Sequence, residues 1–121
     1  MDNIDLVVTG DPARAKATAI AALEARKFRL KWTDEWSGTA EKGNKWLNLV
    51  AGALAQYFKV GVRIMSAPQP GQSIVRLEKQ SSGWAGGAIG ASRTKKNMTG
   101  LRDELAAAFQ SAGVLVTVQE A

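Results

Sequence analysis

The sequence predicts one α+β domain, residues 1–121, with an antiparallel or mixed sheet and two main helices on one face. Short stretches that alternate apolar and polar residues occur in consecutive pairs between two longer segments with helical spacing. Strict strand–helix alternation, which a doubly wound parallel sheet needs, fails at both pairs. The predicted order is β-α-β-β-(helix or loop)-β-β-α-β, and 121 residues suffice for one hydrophobic core.

The chain begins with a predicted strand and a predicted helix. Residues 4–9 are rich in β-branched and apolar side chains, which is typical of a strand. A helix over residues 12–26 follows, with Asp11 as its N-cap. Pro12 suits the first helical position, because the backbone N–H that proline lacks has no helical partner there.

Two strands and one ambiguous segment come next. Residues 28–33 alternate between apolar and polar side chains, which gives the strand one apolar and one basic face. A polar strand is expected over residues 36–42. Apolar spacing over residues 45–58 favours a helix, but Gly52 lowers helix stability by about 1 kcal/mol relative to alanine. The segment therefore remains open between helix and loop.

The second half of the chain predicts a hairpin, a helix and a last strand. The hairpin joins residues 60–64 to residues 73–80 through a turn rich in proline and glycine. Apolar positions over residues 98–112 fall on one helical face, and Gly113 suits the left-handed residue that ends a helix. Residues 114–118 alternate again, with their three valines on one face.

Composition excludes several kinds of chemistry. The chain has no cysteine and no histidine, so thiol chemistry, disulfides and the commonest general base are absent. The carboxylate pairs at residues 34–35 and 103–104 are adjacent in sequence, and adjacent side chains point apart. We therefore predict a protein that is not an enzyme and has no catalytic residues, no cofactor and no metal site.

The charge balance favours anionic partners. Sixteen basic and eleven acidic residues give a net charge of +5. Such a balance suits nucleic acid, anionic lipid or an acidic partner, and it also serves solubility alone. The first residues lack signal-peptide features, and no stretch reaches the roughly 20 apolar residues of a membrane span. We expect a cytoplasmic protein without a transmembrane segment.

Residues 83–96, GWAGGAIGASRTKK, are the one stretch whose composition suggests more than packing. Four glycines fall within eight residues, and three cations follow. The stretch lacks the P-loop lysine after Gly90 and the glycine spacing of dinucleotide-binding loops. Ser92 and Lys95 match a serine–lysine pattern, but its companion motifs are absent. Glycines and cations ahead of a helix start can nevertheless hold an anion.

The candidate anion-binding site combines small residues, one hydroxyl and three cations. Its members are Gly86, Gly87, Gly90, Ser92, Arg93, Lys95 and Lys96. Trp84 is a candidate for stacking or for an interface, and Arg29 with Lys31 marks a candidate basic face. The expected ligand is a nucleic-acid backbone or a phosphate compound. The alternative is that the small residues pack closely on the sheet and the cations are simply solvated.

The predicted order resembles the β-α-β4-α arrangement of TATA-binding-protein-like domains. The resemblance covers residues 4–9, residues 12–26, the four middle strands and residues 98–112, and departs at residues 45–57 and in the last strand. The run over residues 86–96 also looks like loops in small uncharacterised bacterial α+β proteins. A likeness of order implies a fold and carries no functional residue.

An alternative function is interaction with a protein partner, a second copy of the chain or a membrane surface. The apolar, small-residue segments 46–58 and 84–90 carry this alternative, since aromatic residues such as Trp46 and Trp84 are common at interfaces. Core packing explains the same residues. The salt dependence of binding distinguishes the anion-binding function from the interaction function, because phosphate binding weakens steeply with salt whereas apolar association does not.

Overall fold

A computed structural model of the chain describes residues 3–42, 58–79 and 87–120, with the backbone alone over 87–95. The fold is α+β, and its elements follow the predicted order. They are β1 (Asn3–Thr9), α1 (Pro12–Ala25), β2 (Arg29–Trp32), β3 (Ser37–Lys42), β4 (Phe58–Ser66), β5 (Gln72–Lys79), α2 (Gly87–Ser111) and β6 (Leu115–Glu120). The helix-or-loop question over residues 45–57 lies outside the described residues, and Phe58 already belongs to a strand.

The six strands of the described residues form one sheet in the order β2-β3-β4-β5-β1-β6. Every neighbouring pair is antiparallel, so the purely antiparallel form of the predicted sheet is the observed one. The predicted hairpin is confirmed as β4 and β5. The first strand lies between β5 and the last strand, which leaves β2 and β6 as the two edges.

Helices α1 and α2 pack on the same face of the sheet. Alternate residues of the central strands point to this face, as the two-residue repeat of a strand requires. The largest of the fully buried side chains are Phe109, Ile4, Leu6, Leu23, Leu77, Met98 and Leu105. Among the described residues, no element covers the other side of the sheet, which we call the open face.

Helix α1 begins as its sequence predicts. The Asp11 Oδ1 atom accepts a hydrogen bond from the Arg14 backbone N–H at 2.8 Å, and Pro12 occupies the first turn. Past the end of the helix, Lys27 adopts a left-handed conformation with φ 69°. The next N–H, of Phe28, bonds to the Leu23 carbonyl at 3.0 Å, which turns the chain into the sheet.

Helix α2 begins eleven residues before its predicted start at Met98. The predicted loop is therefore wrong over residues 87–96, which are helical. Only two glycines lie between residues 87 and 97, and alanine, arginine and lysine there favour a helix. Extending an existing helix is also far easier than nucleating one. At the other end, Gly113 has the predicted left-handed conformation, with φ 76°.

Strand β6 contains a bulge next to its start. Val7 pairs with Thr117 while Val8 pairs with Leu115, so Val116 is the extra residue. Unbroken alternation predicted Val116 on the apolar face of the strand, and this prediction is wrong. Leu115 packs against the core instead, and Val116 is 46% exposed.

Candidate anion-binding surface on the open face

Four long cationic side chains stand on the open face where β2, β3 and β4 lie side by side. Arg29 and Lys31 belong to β2, Lys59 and Arg63 to β4, and all four are exposed. Residues two or four apart on a strand share a face. The two strands present the same face because Arg29 pairs with Glu41, which pairs with Lys59. We call these four residues the basic patch.

Small residues fill most of the space between the four cations, and Glu41 lies between Arg29 and Lys59. The Arg29 Nη2 and Glu41 Oε1 atoms are 3.8 Å apart. Thr39 pairs with Lys31 on one side and with Gly61 on the other, and Ser37 pairs with Arg63. Short side chains at these positions leave the four cations extending beyond the sheet around a shallow floor. The hydroxyl groups of Ser37 and Thr39 can donate hydrogen bonds to an anion that lies on this floor.

The basic patch is wider than one phosphate group. Lys59 and Arg63 are four residues apart on one strand, which separates their Cα atoms by about 13 Å. Arg29 and Lys59 are two strands apart, or about 10 Å. A ligand with several anionic groups can therefore engage all four cations at once.

Carboxylates neutralise only part of the positive charge. On the described open face, the basic patch and Arg76 make five cations against three carboxylates, which are Asp5, Glu41 and Glu78. The Arg63 Nη2 and Glu78 Oε1 atoms are 3.8 Å apart, and the Arg63 side chain is 49% exposed. Such pairs contribute at most about 1 kcal/mol, so Arg63 can turn to an external anion at little cost. Within the described residues, Lys31 and Lys59 form no ion pair.

Arg76 borders the basic patch but is held by a carboxylate. Its Nε and Nη2 atoms donate to the two Asp5 oxygens at 2.7 and 3.0 Å across paired strands. This hydrogen bond raises the pKa of Arg76, against an opposing effect of desolvation. Because the folded-state pKa is raised, the charge on Arg76 contributes its full stabilisation at every pH below the ordinary pKa of arginine. This contribution is lost only when the pH rises through the pKa of the folded state. Arg76 therefore stays charged and paired throughout the neutral range.

An apolar row lies beside the basic patch on the same face. Met65, Ile74 and Val7 are successive partners across β4, β5 and β1. Val7 is 8% exposed, while Met65 and Ile74 are half-buried. The open face is consequently basic toward β2 and partly apolar toward β1.

The residues predicted as an anion-binding loop lie mostly within α2. Those in the helix are Gly87, Gly90, Ser92, Arg93, Lys95 and Lys96, of which Lys96 is described as exposed. Gly86 and Trp84 lie outside the described residues. Arg93 is six residues inside the helix, and the helix dipole acts mainly within the first turn. A helix N-terminus directly after the three cations was expected to contribute to anion binding, and the structure has none at that position.

The strand cations and Lys96 lie on different layers of the molecule. Arg29 and Lys31 are exposed and alternate with Leu30 and Trp32, which pack against the core. Helix α2 packs on the opposite side of the sheet. Arg29 and Lys31 therefore share no groove with Lys96. The cations that share their face are those of β4, Lys59 and Arg63.

Sequence reasoning missed Lys59 and Arg63. The signal was present, because these cations alternate with buried apolar residues along β4, from Phe58 to Ile64. The local pattern could not show which strand would lie nearby. Only the pairing of β3 with both β2 and β4 brings the two pairs of cations together.

The apolar segments proposed for an interface are only partly described. Residues 46–57 and 84–86 fall outside the described residues, and residues 87–90 form the start of α2. Phe58 is buried, and its ring meets the ring of Phe28 edge-on, with centroids 6.2 Å apart. Phe58 is therefore a core residue.

Other kinds of site find no support in the described ranges. They contain no group of three or more acidic residues that could hold a metal ion. No helix there is long and apolar enough to cross a membrane. Neither the protein-family models nor the curated proteins compared with this chain match it.

Proposed function

We propose that this chain is a non-catalytic domain that binds a polyanion, such as a nucleic-acid backbone, on the basic patch. The observation that carries the proposal is the cluster of four cations, Arg29, Lys31, Lys59 and Arg63, around three residues of β3, Ser37, Thr39 and Glu41. Lysine and arginine contacts to phosphates supply affinity that does not depend on base sequence. The width of the patch supports a polymer over a single phosphate.

The described open face offers no means of reading bases by stacking. None of its side chains is aromatic, since Phe28, Trp32 and Trp36 pack against the core side of the sheet. Stacking on aromatic rings is the usual source of strong single-strand binding. We therefore expect binding that varies little with base sequence and strongly with salt.

A nucleic-acid ligand fits a cytoplasmic location, which is part of this proposal. The chain has no cysteine with which to form the disulfides common in secreted proteins. The likeness of element order to TATA-binding-protein-like domains stays a prediction about the fold and adds no residue to the site.

The test compares two double variants with the same loss of charge. Lys31→Gln with Lys59→Gln removes two cations from the basic patch. Arg14→Gln with Lys96→Gln removes two exposed cations from the helical layer.

Binding of short DNA and RNA is measured by fluorescence anisotropy at low and at moderate salt. We expect the patch variant to bind about tenfold more weakly at moderate salt, because phosphate contacts are lost. The helical-layer variant is expected to bind like the unmodified chain.

Three results would contradict the proposal. One is that the unmodified chain binds neither DNA nor RNA at low salt. Another is that the helical-layer variant loses affinity and the patch variant does not, which would move the site to α2 and its Lys96. The third is an equal loss in both variants, because net charge alone would then explain the binding.

A further inference from the structure

The two edges of the sheet differ in how they resist pairing with another strand. Edge strand β2 has four residues, two of which are the cations Arg29 and Lys31. Short, charged edges discourage strand addition. Edge strand β6 has six residues, Leu115–Glu120, without lysine, arginine or proline. Its outer backbone groups are therefore much less protected.

The described part of β6 also carries an exposed apolar side chain. Val116 is 46% exposed and is the one large hydrophobic residue exposed among the described residues. The bulge is confined to the start of the strand. From Thr117 to Glu120 the pairing with β1 is regular, so this part is straight enough to accept a further strand.

The sequence of β6 is compatible with antiparallel pairing to itself. A two-fold axis at Val118 places Val118 opposite its own copy on the helix side of the sheet. Thr117 then meets Gln119 on the open face, which matches their inward pairing with Val7 and Asp5. Between Thr117 and Gln119, each position thereby meets a residue on the same face, as strand pairing requires.

The same register brings no like charges together. Val116, the bulged residue, then lies near Glu120, the one charged residue of β6. The Glu120 carboxylate accepts a hydrogen bond from the Arg102 guanidinium of α2, so its charge is already balanced. The exposed apolar side chain would thus be covered without burying an isolated charge.

We propose that β6 pairs with β6 of a second copy of this chain, which joins two six-stranded sheets into one. The inference rests on the edge strand and is independent of polyanion binding. The basic patch lies on β2 and β4, toward the other edge, so pairing through β6 leaves it accessible. So short a pairing buries less than the roughly 1,200 Å² of a standard stable interface, so association is weak and depends on concentration.

The first experiment measures mass by sedimentation equilibrium over a wide range of protein concentration. The mass of the unmodified chain is expected to rise from the monomer value of 12.9 kDa toward twice that value. Val116→Lys places a charge on the edge and is expected to weaken association by about tenfold or more. Ala17→Lys adds the same charge at an exposed position of α1 and is expected to associate like the unmodified chain.

The second experiment uses the absence of cysteine from the sequence. Val118→Cys places one thiol at the expected two-fold axis, and Ala17→Cys places one on α1. Under mild oxidation, the Val118→Cys protein is expected to form a disulfide-linked dimer much faster than the Ala17→Cys protein. Circular dichroism confirms that each variant keeps its fold.

The proposal is overturned if the chain stays monomeric at every concentration. It is also overturned if the chain dimerises but Val116→Lys has no effect and Val118→Cys cross-links no faster than Ala17→Cys. The second pattern would place the contact on another surface. Should Val116→Lys disturb folding, the cross-linking comparison still decides.

Discussion

Among Gly10, Gly38, Gly71, Gly100 and Gly113, Gly38 is the residue at which an added Cβ atom would meet the closest neighbours. It lies in β3 directly against β2. A Cβ atom at this position would lie 2.5 Å from the Lys31 carbonyl oxygen and 2.9 Å from the Trp32 Cα atom. Both are backbone atoms, so β2 would have to move away from β3. Arg29 and Lys31 of the basic patch would move with it.

Replacing Gly38 with alanine is expected to lower the free energy of unfolding by about 1–3 kcal/mol, which is typical of overpacking. The matched control is Gly100→Ala in α2, where a Cβ atom would meet nothing within 4 Å. That change is expected to raise the free energy of unfolding by about 0.5–1 kcal/mol. Urea denaturation measures both, and a neutral Gly38→Ala would show that β2 shifts easily.

Lys16 is a cation that the fold itself uses. Its Nζ atom lies 4.4 Å from the ring centroid of Trp32 and 5.4 Å from that of Trp36. It also donates a hydrogen bond to the Glu35 carbonyl oxygen. Contacts of a cation with an aromatic face contribute about 0.5–1 kcal/mol at exposed sites. Lys16 therefore connects α1 to the turn between β2 and β3, and it does not belong to the basic patch.

At the scale of elements, α1 shows how local signals set a helix boundary. Its N-cap and first proline are both used as predicted. Its buried face consists of Ala15, Ala19, Ala22 and Leu23. Small side chains on this face let the helix lie close to the sheet, so the alanine-rich composition serves packing as well as helix propensity.

Replacing Asp11 with alanine removes the hydrogen bond to the Arg14 backbone N–H. The expected loss is about 1 kcal/mol of unfolding free energy, the usual contribution of an N-cap. Glu24→Ala, at an exposed position of the same helix, removes the same charge and is expected to change little. Thermal and urea unfolding of both variants would test this, and equal losses would argue against a capping effect.

At the scale of the whole molecule, the sheet sorts side chains between two layers. One face of each strand contributes to the core, and the other carries the charge of the open face. The same two-residue repeat thus serves stability and the proposed binding. Stability and binding are therefore separable by choosing residues from one face or the other.

This arrangement predicts the salt dependence of binding. If Lys31 and Lys59 each contact a phosphate, removing both should reduce the slope of log affinity against log salt by about two. The free energy of unfolding should change little, because both side chains are exposed. Titrations at several salt concentrations measure the slope, and an unchanged slope would show that neither lysine contacts phosphate.

The element order was predictable because each element carries its own local pattern. Alternation marked the strands, and Asp11 and Gly113 marked a helix start and a helix end. Each of these signals acts within a few residues of chain, so a single sequence is enough to reveal it. The start of α2 was not predictable in this way, because helix extension is cooperative and overrides individual glycines.

The basic patch itself was decided by the tertiary structure. By sequence alone, Arg29 and Lys31 formed one basic strand face without a known neighbour. Lys59 lies thirty residues beyond Arg29, and only the antiparallel register of β2, β3 and β4 places them on one surface. The bulge at Val116 is equally a property of pairing with β1. Contacts between distant strands depend on the whole sheet, and no local stretch of sequence specifies them.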